Sequence, residues 1–130
     1  MVPGGPSIGR YVGDVMVRRV AGRWRIVEMD LWDRDAIDLV GPGFIEFFDD
    51  GTGRFGFIAV QADLHCQDVS DDPPRLEFTW QGNDEGDAVS GRGWAQLEAG
   101  RSLRGHIYFH NGDDSGFRAV RQGDNSARAS

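Results

Sequence analysis

The chain has 130 residues, 21 acidic and 14 basic, and a formal net charge of −7. That length suits one domain with a single core, and the acidic balance argues against nucleic acid or an anionic membrane surface as the main partner. Every basic residue apart from histidine is arginine, which excludes a Schiff-base lysine and a P-loop lysine.

The opening "MVPGGPSIGR" has no charged segment followed by an apolar core. Residues 1–20 therefore read as a loose leader or an extra short element, and not as a secretory signal. "YVGDVMVRRVAG", residues 11–22, mixes valine with arginine and fits a short helix or an added strand. A domain is expected over 21–122, with 123–130 as a frayed tail.

Nineteen glycines, eight phenylalanines and four tryptophans, with turn signals at short intervals, point to an all-β domain. The β-rich runs place eight strands at 22–29, 43–49, 53–61, 62–68, 75–81, 89–98, 102–110 and 115–121. Between the first two, "LWDRDAIDLVGPG" suits a short helical or irregular crossover near 31–40, ended by Gly41-Pro42-Gly43, crossing one mouth of a barrel. "FFDDGTGRF" is the clearest hairpin turn. Leu76, Phe78 and Trp80 alternate with Arg75, Glu77 and Thr79, and Leu103, Ile107 and Phe109 oppose Arg104, His106, Tyr108 and His110. Short polar connections make an up-and-down order the simplest, and closing eight antiparallel strands removes both sheet edges. The expectation is a single closed antiparallel β-barrel.

"GRWRI", residues 22–26, resembles the Gly-x-Trp that opens the first strand of the calycins, the lipocalin, fatty-acid-binding and avidin-type barrels. In that superfamily the tryptophan closes one barrel end and an arginine near the last strand packs over it. The likeness implies a closure built from Gly22 and Trp24, with Arg118 or Arg121 of "GFRAVR" in the arginine's place. Through "EMDLWDRD", "PGFIEF", "FTWQGNDEGD", "SGRGWA" and "DDSGF" the chain also resembles a family of small bacterial proteins, a likeness that implies a fold and no particular activity.

Candidate chemistry is sparse. "GNDEGDAVSGRGWA", residues 82–95, offers oxygens from Asn83, Asp84, Glu85 and Asp87, but it lacks the calcium-loop spacing and reads first as a solvated rim turn. Arg92 and Trp94 then share one face of the returning strand, suited to a cation–π contact or a carboxylate. His106 and His110 lie about 13 Å apart on a strand, too far to share a metal easily, and His65 and Cys66 point to opposite faces. No metal and no cofactor is expected, and a single cysteine suits a reducing cytoplasm. No Gly-x-Ser-x-Gly elbow or glycine-rich phosphate loop is present, so no catalytic residue is assigned.

Glu28 shares strand parity with Trp24 and Ile26, and Glu46 with Phe44 and Phe48. An inward carboxylate would need a partner, which leaves a structural ion pair, a polar floor for a ligand, or paired acids for glycoside chemistry. Trp32 suits a lid or a plug over the mouth. The functional expectation is non-catalytic binding of a small, partly apolar molecule in the barrel mouth. Trp32, Trp80 and Trp94 would supply contact area, and Glu28, Asn83, Asp84 and Arg92 would orient polar groups. The alternative is a fully packed barrel acting as a protein-interaction module or homodimer.

Overall fold

The protein was analysed as a computed structural model, which describes residues 17–71, 74–98 and 101–122. The leader as far as residue 16 and the tail 123–130 lie outside these residues. Eight strands follow in chain order: β1 Gly22–Met29, β2 Phe44–Phe47, β3 Thr52–Phe57, β4 Val60–Asp71, β5 Pro74–Asp84, β6 Asp87–Glu98, β7 Ser102–Phe109 and β8 Asp114–Arg121. Each pairs antiparallel with its sequence neighbours, and β1 pairs with β8, so the sheet closes into an up-and-down barrel.

Alternation decides what fills it. Trp24, Phe47, Phe55, Phe57, Phe78 and Trp80 all point inward and are at most 3% exposed. Trp80 meets Phe55 and Phe109 edge-on, each with centroids 5.1 Å apart, a geometry that aromatic quadrupoles favour. An eight-stranded barrel is just wide enough for side chains to fill, and this one is filled by rings.

Both ends are covered. A helical turn at 17–20, α1, places Val20 fully buried beneath the end where β1 begins. At the opposite end lies α2, Arg34–Ile37, inside the predicted crossover. Asp33 caps it by accepting from the Ala36 N–H, and Ile37 is fully buried. The Ile37 carbonyl accepts from the Ile58 N–H in the β3–β4 turn, and Trp32 packs on Phe57 at 5.5 Å.

Three expectations need correction. The third and fourth strands meet around Ile58 and Ala59, where Phe57 pairs with Val60, and not between residues 61 and 62. "GNDEGDAVSGRGWA" is almost entirely strand, because β5 and β6 pair as far as Asp84 and Asp87. The turn needs only Glu85 and Gly86, both at positive φ (55° and 92°), the primed geometry that matches strand twist. The predicted strands 75–81 and 89–98 are thus longer than expected on the sides that face this turn.

The third concerns β1. Its register against β8 shifts between Ile26 and Glu28, a bulge that absorbs Val27 and reverses the alternation. Met29 therefore enters the core, and Glu28 lies exposed on the outside. Glu46 is also outside, between Arg23 and Arg54, because Ile45 and Phe47 take the inner positions of β2. Neither carboxylate lines the interior.

Candidate functional site

At the α1 end, Arg121 continues the inward parity of Phe117 and Ala119, and its guanidinium lies 4.2 Å from the Trp24 ring. Its Nη1 and Nη2 donate to the Ala21 and Arg19 carbonyls, each at 2.8 Å, while Trp24 Nε1 donates to the Val20 carbonyl. Gly22 sits at φ 119°, and a β-carbon there would stand 3.1 Å from Arg121 Nη1. Only a residue without a side chain suits that backbone and that spacing. Arg118 has the opposite parity and faces outward, 3.6 Å from Glu28.

The predicted ligand contacts do not converge. Trp80 is inside the barrel, whereas Arg92 and Trp94 are outside on β6. Trp32 packs at the α2 end, and Asn83 and Asp84 lie beside the β5–β6 turn. Glu28 and Trp94 line a cleft of about 220 Å³ on the outer face, together with Arg104, His106 and Arg118. In that cleft charge is already balanced, since Arg118 faces Glu28 and Arg104 pairs with Glu98 at 3.2 Å.

A much larger concavity, about 1060 Å³, lies on the outer face of β3–β7. Cross-strand register assembles its central row: Thr52 opposite His65, His65 opposite Thr79, Thr79 opposite Arg92, and Arg92 opposite Tyr108. At the usual strand spacing these five residues span about 19 Å. A parallel row adds Asp63, Gln81 and Ser90. Phe48, exposed beyond β2, forms one wall, and His110 and Asn111 stand at the other. Trp80, Leu64 and Phe109 reach the groove from below, which couples its floor to the core.

Arg92 is the permanent cation of this groove. Its guanidinium stacks over the Tyr108 ring at 4.2 Å, and no side chain or carbonyl among the described residues accepts a hydrogen bond from it. Tyr108 in turn lies 4.5 Å from the His106 ring, whose Nε2 is 2.5 Å from Asp114 Oδ2. On the far side of His106, Trp94 carries the Arg75 guanidinium 3.8 Å from its ring. An aromatic and guanidinium ladder thus runs from Arg92 through Tyr108, His106 and Trp94 to Arg75.

Sequence reading missed this groove because its residues come from five strands, and only the register brings them side by side. The alternation of Thr79 with Trp80 and of Tyr108 with Phe109 was the available signal, since it marked the outer positions.

Cys66 is half-buried at the edge of the core. Burial, with a smaller contribution from Asp50, pushes its thiol up to about 11, which suits an inert side chain. Among the described residues no group of three or more His, Cys, Asp or Glu is placed to hold a metal ion. No helix among them is long and apolar enough to cross a membrane.

No family model, curated protein or solved structure matches this chain.

Proposed function

We propose that the protein is a non-catalytic binding module whose calycin-like barrel is a packed scaffold and whose ligand lies in the outer groove of β3–β7. The observation that carries this reading is the contrast between the two faces. The interior positions hold large aromatic side chains under two covered ends, whereas the outer face offers a groove of the size that ligand sites have. The mouth-binding reading is thereby moved from the inside of the barrel to its outside. Thr79, Gln81 and Ser90 supply short polar groups to the floor, and Phe48 supplies an apolar wall.

Native mass spectrometry of the protein purified without refolding, beside the same sample denatured, tests this reading. A small molecule released on denaturation from the wild type, and absent from Ser90→Trp, is the expected result. Equal occupancy in Ser90→Trp would place the ligand elsewhere and overturn it.

A second reading, a homodimer or protein-interaction module, has its own support. Leu31, Leu39 and Val40 flank α2 with 50%, 64% and 68% of their surface exposed, an apolar patch of the kind found at interfaces. The same native spectra report the oligomeric state. A monomer unaffected by Leu39→Asp would dismiss self-association through this patch.

A further inference from the structure

We infer that the outer groove selects an anionic ligand, one carrying a carboxylate or phosphate, and that Arg92 is the residue that grips the anion. The inference rests on the groove being the binding site, and adds the charge of what binds there.

Three observations support it. The chain has 21 acidic residues and a net charge of −7, yet Asp63 is the one acid among the described lining residues of this groove. Arg92 stands against it, and His65 and His110 line the same groove as further N–H donors. On a chain of net charge −7, this groove is a place where an anion meets little opposing charge.

The second observation is how Arg92 is held. Most arginines on this barrel are occupied: Arg23 and Arg54 by Glu46, Arg25 by Asp38, Arg104 by Glu98, and Arg118 by Glu28. Arg92 lies over the Tyr108 ring, 4.2 Å from its centroid, with its hydrogen-bond donors unused among the described residues. A cation–π contact restrains a guanidinium without using its N–H groups, and their fork matches the two oxygens of a carboxylate or phosphate. Little side-chain freedom then remains to be lost when an anion binds.

The third is what surrounds it. Thr79 lies directly opposite Arg92 on β5, and Ser90 and Gln81 face one another in the next row. These hydroxyl and amide groups suit a hydroxylated body attached to the anion. The groove's breadth accommodates such a body beside the charged end.

A matched pair of probes separates the charge from the body. Amide shifts in a two-dimensional nitrogen–proton NMR spectrum would be followed while gluconate, glucose and inorganic phosphate are added separately at millimolar concentrations. Gluconate and glucose share a polyhydroxyl chain and differ in the carboxylate, and phosphate supplies the anion without the chain. The expected result is saturable shifts at Thr79, Ser90, Arg92 and Tyr108 with gluconate, and affinity at least about tenfold weaker for glucose. Phosphate alone binding as well as gluconate would identify free phosphate as the source of the anion.

Arg92→Gln should weaken gluconate by about tenfold or more with the rest of the spectrum in place, and Arg118→Gln, outside the groove, should leave it unchanged. Equal binding of glucose and gluconate, indifferent to Arg92→Gln, would overturn the anion inference while leaving the groove as a binding site. Shifts centred on Arg104 and Arg118, or no saturable shift with either anion, would also overturn it. In the last case the mass of any co-purified ligand decides separately whether the groove binds.

Discussion

Arg121 lies over Trp24 at one end of the barrel, with the guanidinium 4.2 Å from the indole and both terminal nitrogens donating to carbonyls of the segment that leads into β1. One side chain thereby joins the last strand, the first strand and α1. Truncation would remove a cation–π contact and leave two carbonyls and a tryptophan face unmatched. Arg121→Ala is expected to cost about 2–4 kcal/mol in urea unfolding. Arg121→Lys should recover less than half of that, because an ammonium cannot reproduce the fork. A lysine variant as stable as the wild type would show that charge alone suffices.

The bulge at Val27 predicts indifference at its neighbour. Glu28 is outside, with 64% of its side chain exposed, and its approach to Arg118 is a long 3.6 Å. Glu28→Gln should change unfolding free energy by no more than about 0.5 kcal/mol. A loss of several kcal/mol would mean that the carboxylate is buried and that the bulge is misplaced.

Asp38 follows α2, accepts hydrogen bonds from the Gly43 N–H and from Arg25, and keeps about a quarter of its side chain exposed (27%). The Gly43 hydrogen bond, opposed in part by desolvation and reinforced by Arg25, holds its carboxyl below the usual 3.8. A depressed folded-state value stabilises fully above the unfolded value and is lost as pH falls through the folded one. Asp38→Asn should therefore cost about 1–2 kcal/mol near neutrality, and the gap to wild type should narrow below about pH 4. A gap that is constant down to strongly acidic pH would assign the loss to packing.

Cys66 should be slow toward thiol reagents. With its thiol near 11, only about one molecule in a thousand is thiolate at pH 8. Alkylation by iodoacetamide is expected to accelerate about tenfold per pH unit well past the ordinary value of 9.0. A rate that levels off near that value would indicate a solvated thiol.

Much of the scaffold was legible because alternation is a local signal. Leu76, Phe78 and Trp80 announced their shared face, whereas the pairing of Trp24 with an arginine came only from the Gly-x-Trp resemblance, which left Arg118 and Arg121 both open. What escaped depends on contacts between strands. Nothing near Val27 signals that β8 lacks a partner for it, so Glu28 was assigned to the wrong side. Residues 82–88 read as a connection, although β5 runs on to Asp84 and β6 begins at Asp87, with glycines that let neighbouring backbones approach closely. At Gly91 a β-carbon would fall 1.8 Å from the Tyr108 carbonyl oxygen. Arg92 and Trp94 were singled out together, yet Arg92 lines the large groove and Trp94 the smaller cleft. Whether the barrel is full depends on its radius, which no single strand reveals.

The pairing of β1 with β8 carries a consequence for how the chain is strung. In a ring where every strand neighbours its sequence neighbours, the order has no privileged starting point. Gln122 already donates its N–H to the Arg23 carbonyl at 3.0 Å, so the two ends of the strand sequence meet. The Glu85–Gly86 turn is exposed and short, the kind of place where a cut is tolerated. A circular permutant that begins at Gly86 and joins the old ends through a flexible linker should rebuild the same barrel around the same aromatic core, with β6 as its first strand.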